Sequence, residues 1–412
     1  MNKSVFITTA TDSYGKSIIT FGIIQMLIKK FKVGFLKPII ENNICKNYIN
    51  TILSYFNINM SYKESFAFTK EEAIRNYLTN KNYFFNFIIN KYNNLKKKFD
   101  FIIVEGTNLQ KSIFDFNINN LIAKTIQTPI ILIINGENKN IETIVNNILI
   151  EFDSIQKQGN KIIMIVINNS IISKQELECL LYKSINIEHI IISIIPLETI
   201  LYKPTINDLI ITLNASKIIC KEEHLNIIAR KYILGSMQLN NYIDVIINNT
   251  NFLLLIPSDR IDIIYTTLLL YNNYPNKILG IFFTEGFLDK SVIRFIKDKD
   301  INIPIFYVKL NTFESISKLN NIKYIYPNSK FKIKRSIERF ERYIDIRLLE
   351  QRIINFKSKI VNPQLFQYNI FNISKKLQKH IVLPEGLDER ILCASSKFAA
   401  NKLGLLTLLG DK

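Results

Sequence analysis

The chain has 412 residues, 48% hydrophobic and 21% charged, with a formal net charge of +18 at pH 7. That length accommodates two or three domains with their own cores, and the hydrophobic content excludes wholesale disorder. No run reaches the roughly 18 consecutive apolar residues of a membrane span, and the charge comes without an aromatic–basic recognition pattern, so neither a membrane nor a nucleic acid is expected as partner.

In chain order, Val5–Thr9 reads as a strand and Ser17–Lys30 as a helix with 3.6-residue apolar period. Between Met1 and Asp12 the apolar run is limited to Val5-Phe6-Ile7, too short for a secretory leader. Val33–Ile39 is the next strand, closed by Pro38. An Asn- and Lys-rich helical region follows, then strands Phe101–Val104, Ile130–Ile134, Ile162–Ile167 and Ile190–Ile195. These runs are continuous rather than alternating, as in a parallel sheet buried on both faces. Their alternation with helices predicts a doubly wound α/β domain over 1–221.

From about Glu222 the pattern restarts. Strand Phe252–Ile256 ends at Pro257; helix Ile261–Leu270, strand Ile278–Phe283, helix Lys290–Lys297 and strand Ile305–Val308 follow. They predict a smaller α/β domain over 222–356, closed by a charged helix Lys332–Phe356. The basic stretch Lys330–Arg352 also carries Glu338, Glu341, Asp345 and Glu350, mixed signs that predict a solvated helix. A linker over 357–378, with Asn362-Pro363 and the amphipathic Leu365–Leu377, leads to strand Ile381–Leu383, helix Glu389–Lys402 and strand Leu405–Leu409. This segment, 379–412, predicts the start of a third, incomplete α/β domain, too small to cover both faces of its sheet.

The four cysteines (Cys45, Cys179, Cys220, Cys393) form no CxxC pair, and the three histidines are far apart. Reduced thiols, no metal site and a cytoplasmic location are therefore expected. Asn, Ile and Lys abound throughout, as in an AT-rich coding background, which accounts for the positive charge without a polyanionic partner.

Ala10 to Ser17 fits the phosphate-loop pattern GxxxxGK[ST] with Ala10 in place of the first Gly, between a strand and a helix. In such a loop backbone N–H groups and the helix start cradle phosphate, Lys16 contacts the outer phosphates and Ser17 meets Mg²⁺. The other reading is a turn descended from a nucleotide-binding loop that binds no longer, since losing the first Gly restricts the backbone. Lys37-Pro38 and Val104-Glu105-Gly106 end strands at the edge where ligands of α/β sheets sit, and Glu105 is placed to hold Mg²⁺ through water. Gly15, Lys16, Ser17, Lys37 and Glu105 are thus the candidate nucleotide site.

Together these residues resemble the dethiobiotin-synthetase-like group of P-loop proteins over about 1–220. Thr107-Asn108-Leu109 stand where that group has small residues and glycines, and Ile39-Ile40-Glu41 where it has a serine. An ATP-dependent ligase using Lys16, Ser17, Lys37 and Glu105 is therefore the less favoured reading. Ser258-Asp259-Arg260-Ile261-Asp262 and Phe283-Thr284-Glu285-Gly286 resemble the signatures of the DRTGG domain, with Glu285 replacing the first Gly of the triplet. Asp259 is placed to cap a helix start, and Arg260 to bind an anionic effector or form an interface pair. Asp259, Arg260, Thr284 and Gly286 are the effector or interface candidates, with structure or interface favoured.

His380-Ile381-Val382-Leu383-Pro384-Glu385-Gly386-Leu387-Asp388-Glu389-Arg390 resembles the opening of the phosphate acetyl/butyryl transferase domain, with Pro384, Glu385, Gly386 and Arg390 as its motif. Ala394 and Ala399-Ala400 fit its next helix. In this order the three segments resemble long-form bacterial phosphate acetyltransferases over essentially the whole chain. That resemblance implies interconversion of acetyl-CoA and phosphate with acetyl phosphate and CoA, by direct attack on the thioester. It implies no cofactor beyond the CoA substrates, a nucleotide as effector, small-molecule regulation and a homo-oligomer. The family's catalytic Ser, Arg and Asp lie deeper in the transferase domain, and no residue here corresponds to them. The chain is thus expected to be the truncated regulatory and oligomerisation part. The alternative is a non-catalytic assembly subunit, or a remnant.

Overall fold

The apolar runs of the first half line up as seven parallel strands: β1 (Lys3–Thr9), β2 (Val33–Ile40), β3 (Phe66–Thr69), β4 (Phe101–Glu105), β5 (Ile130–Asn135), β6 (Ile162–Asn168) and β7 (Ile191–Ile195). Their order is β3-β2-β4-β1-β5-β6-β7. The computed structural model describes residues 3–10, 15–41, 43–107, 118–229, 231–275, 277–285, 288–298, 302–320, 329–358 and 362–410. Two compact units emerge, Met1–Pro196 with Glu341–Lys412, and Leu197–Phe340.

In the first unit every residue of β4, β5 and β6 is buried. Consecutive strand residues point to opposite faces, so both faces are covered, the condition that makes the runs continuous rather than alternating. The chain leaves β1 for β2 and β3 on one side, returns to insert β4 beside β1, and then builds β5 to β7 on the other. This reversal puts the carboxyl ends of β1, β2 and β4 around one crevice. In register, Ile7 faces Glu105 across β1 and β4, and Leu36 faces Val104 across β2 and β4.

Three expectations change here. β2 runs through Pro38 to Ile40 rather than closing at it. The Lys37 N–H donates to Ser65 O on the β3 side at 2.8 Å, so Pro38 faces β4, whose last partner is Leu36. The missing N–H therefore falls where the ladder has ended. The short β3 lies inside the region expected to be helical. The stretch 357–378 carries a helix, Pro363–Leu377, that packs on helices Lys81–Lys96 and Ile118–Ile126. There Asn362 donates to Lys124 O at 3.0 Å and the Tyr368 hydroxyl bonds Asn90.

The second unit holds β8 (Ser216–Ile219), β9 (Tyr232–Leu234), β10 (Phe252–Pro257), β11 (Ile278–Thr284) and β12 (Ile305–Val308) in the order β8-β12-β11-β10-β9. Only β8 is antiparallel, and it pairs β12. Phe252, Leu254 and Ile256 enter one core cluster, Leu253 and Leu255 another, so β10 is buried on both faces. The compact units divide between Pro196 and Leu197, upstream of the boundary read at 221. β8, half-exposed and with a polar start, joins the second sheet.

The charged helix read over Lys332–Phe356 is two helices, Lys330–Tyr343 and Ile346–Asn355. Asp345 makes the break by accepting a bond from Leu348 N at 3.0 Å, an N-cap inside the charged run. Ile346–Asn355 packs on β1 and β6 of the first unit. Its predecessor is not fully solvated: Lys332, Ile333, Ser336, Ile337 and Phe340 are buried. Lys332 is wholly buried against Asp208 at 3.2 Å. The 379–412 segment is a parallel pair, β13 (His380–Leu383) and β14 (Leu405–Leu408), joined by helix Glu389–Ala400. Val382 is 51% exposed and Leu405 60%, the uncovered sheet that so small a unit implies. Among the described residues no helix is long and apolar enough to cross a membrane.

Candidate functional site

Gly15 starts helix Lys16–Leu27 with φ 98°, a left-handed conformation open to glycine. A Cβ there would also lie 2.6 Å from the Asn168 side chain at the end of β6. Lys16 opens the helix and Ser17, half-buried, follows. Thr11 to Tyr14 of the motif lie outside the described residues.

The structure brings Lys16, Lys37 and Glu105 together in a buried cluster. Lys37 Nζ donates to Glu105 Oε1 at 2.7 Å. Thr20 Oγ1 and the Tyr48 hydroxyl donate to Oε2 at 2.8 and 2.7 Å. Lys16 Nζ turns to the carbonyl of Gly106 at 2.9 Å. Lys16 is 4% exposed, and Lys37 and Glu105 1% each.

The electrostatics follow from that packing. Burial, seconded by the Lys37 charge, lowers Lys16 to about 7, against the pull of Glu105, Glu41 and Cys45. Burial pushes the Glu105 carboxyl upward, but Lys37, Lys16 and the Lys37 and Tyr48 hydrogen bonds together hold it below its ordinary value. Thr20 lies four residues after Lys16, on the same helix face, a spacing that marks it in the sequence. Tyr48 sits on helix Asn43–Tyr55 with no motif to signal it.

In the second unit, Arg260 is clamped. Its Nε and Nη2 donate to Asp262 at 2.9 and 2.8 Å, and Nη1 and Nη2 to the carbonyls of Ser236 and Met237 at 3.2 and 3.1 Å. It ties the β9 loop to the start of helix Ile261–Asn273. Asp259 does not cap that helix: it is exposed, and the N-cap position is Arg260, with no side-chain cap. Thr284 is wholly buried, its hydroxyl 2.6 Å from that of Thr312 and its carbonyl accepting from Ser258 N and Oγ. Glu285 adopts φ 61° where the related motif has glycine. Gly286 lies outside the described residues.

Pro384, Glu385 and Arg390 are exposed beside β13. Gly386 is held by necessity: its N–H donates to Leu409 O at 2.9 Å, and a Cβ would lie 2.3 Å from that oxygen. Arg390 pairs with Asp388 at 2.8 Å, and Asp388 caps the following helix.

Three family models match the chain in order: an AAA domain over residues 3–230, a DRTGG domain over 208–322 and a Phosphate acetyl/butaryl transferase domain over 365–412. The phosphate acetyltransferase of Nitratidesulfovibrio vulgaris is 30% identical over 432 residues, and that of a Synechocystis species 26% over 425. The chain belongs to the AAA-domain family over residues 3–230 and is similar to phosphate acetyltransferases along its whole length. Both alignments cover 100% of this chain and 60% of the relative, so the chain spans about 60% of the length of these phosphate acetyltransferases. Among solved structures, the MinD cell division protein of Aquifex aeolicus aligns over 48% of this chain and 84% of its own, with 17% identity and a TM-score of 0.29. Within the phosphate acetyltransferase framework, the matched transferase residues end at 412. They include Pro384, Glu385, Gly386 and Arg390.

Proposed function

We propose that this chain is the regulatory and oligomer-building part of a phosphate acetyltransferase, the enzyme that interconverts acetyl-CoA and phosphate with acetyl phosphate and CoA. The observation that carries the reading is the order of the AAA, DRTGG and transferase matches along one chain. The chain works in the cytoplasm as a homo-oligomer and responds to small molecules, without a cofactor for the transfer itself. A phosphate-bearing effector is taken at the start of helix Lys16–Leu27, where Gly15 and Ser17 stand, with Lys16, Lys37 and Glu105 supporting that end from their buried cluster. Arg260 and Thr284 organise the carboxyl edge of the second sheet, and Asp259 is exposed there for an interface.

The test is an acetyl phosphate assay on the purified chain of 412 residues. No turnover is expected alone, and activity is expected when the remaining transferase portion of a relative is fused to it. Turnover by this chain alone overturns the reading. The alternative reading is an assembly subunit that serves a transferase domain on another polypeptide. Recovery of activity on mixing the separate pieces, without fusion, distinguishes that case.

A further inference from the structure

A phosphate loop of this kind ordinarily works with Mg²⁺, held by the Ser after the Lys and by an acid such as Glu105. The residues present do not fit that ion. A carboxylate offers about four lone-pair sites, and three donors already occupy Glu105: Lys37 on Oε1, Thr20 and Tyr48 on Oε2, at 2.7 to 2.8 Å. Thr20 and Tyr48 are wholly buried, and Lys37 and Glu105 are 1% exposed. Mg²⁺ dehydrates reluctantly and keeps several waters, which a shell closed to solvent does not admit.

Charge points the same way. The Lys16 ammonium lies on Gly106 O, one residue beyond Glu105, so two cations already converge on the strand end. A dication on the same carboxylate adds to that repulsion where water screens least. Helix Asn43–Tyr55 supplies no acid to offset it. Among the described residues no group of three His, Cys, Asp or Glu side chains is placed to hold a metal.

We propose that Lys37 is a built-in counter-cation that takes the place of a divalent metal at Glu105. Glu105 is then closed to a metal ion, with its cation supplied covalently by β2. Thr20 and Tyr48 are positioning residues that fix the carboxylate for Lys37.

Mn²⁺, followed by the electron paramagnetic resonance signal of the free ion, is the probe. Full-length wild type is compared with Lys37→Met and with the neutral pair Lys37→Met/Glu105→Gln, which leaves neither buried charge alone. Wild type and the neutral pair are expected to bind Mn²⁺ equally, with no site that depends on Glu105. Lys37→Met uncovers the carboxylate, so Mn²⁺ binding is expected to rise about tenfold or more and to vanish again in the double variant. One additional Mn²⁺ site in wild type over the neutral pair overturns the proposal. So does a folded Lys37→Met chain, verified by circular dichroism, that gains no Mn²⁺. Should Lys37→Met not fold, wild type against the neutral pair decides alone.

Discussion

The Lys37 ammonium lies 2.7 Å from the Glu105 carboxylate, with both side chains 1% exposed. Breaking such a pair from one side strands a charge in the interior, which costs about 3–5 kcal/mol. Lys37→Met and Glu105→Gln are each expected to destabilise the first unit by that order. The double variant is expected to cost clearly less than the sum of the two. Urea unfolding of all four proteins measures the coupling; strict additivity would show that the contact contributes nothing.

Lys16 titrates near 7 in the fold against 10.5 when unfolded, because burial and Lys37 disfavour its charge. Between these values the unfolded chain binds more protons than the native one, so stability rises with pH. Below pH 7 the buried charge exerts its full penalty; above about 10.5 the penalty is gone. Urea unfolding at pH 7 and pH 9 is expected to show a gain of roughly 1–3 kcal/mol from this group. Lys16→Met should remove that increment, and an unchanged pH slope in Lys16→Met would refute the assignment.

Glu285 sits at φ 61° directly after β11, with its N–H shared between the carbonyls of Val308 and Leu310 at 3.2 and 3.1 Å. A side chain in the left-handed region costs about 1–2 kcal/mol, and glycine avoids that cost at the expense of a freer unfolded chain. Glu285→Gly is therefore expected to stabilise the second unit by about 1 kcal/mol, while Glu285→Ala gains nothing. Thermal melts of the two variants against wild type check the difference.

Asp208 accepts from Thr205 N and Oγ1 at 2.9 Å each, and from the wholly buried Lys332 at 3.2 Å. Lys332→Met removes one partner and leaves the capping box whole, whereas Asp208→Ala removes the counter-charge and the box's return bond from Thr205 N, leaving Thr205 Oγ1 as the cap. Losses of about 3 kcal/mol for Lys332→Met and about 1 kcal/mol more for Asp208→Ala are expected. Chemical denaturation followed by tyrosine fluorescence ranks them, and an equal loss in both would assign no part to the return bond.

The sheets were legible where strands are long and buried on both faces, as in Ile130–Asn135 and Phe252–Pro257. β9 has three residues and β8 is half-exposed, so neither carries a run long enough to outweigh its surroundings. At the candidate site, motif spacing marks Lys16 and Glu105, and helical spacing reaches Thr20. Tyr48 arrives from a helix that only the tertiary fold brings alongside. Lys332 is the converse case. Its neighbours alternate in charge, so local pattern reads solvent, yet it shares the buried face with Ile333, Ser336, Ile337 and Phe340. Proline at 38 misled for a related reason: whether a missing donor ends a strand depends on which neighbour that donor would have faced.

The pair β13–β14 stands as a sheet of two strands, each bonded along one side. Along the other side no strand is paired among the described residues, and a row of backbone donors and acceptors can take an extended segment, as in strand addition. His380 and Thr407 bridge the pair at 2.8 Å, but no lysine or proline within either strand blunts those rims. Each rim of the pair is thus a place where a further strand, of this polypeptide or of another, can be added.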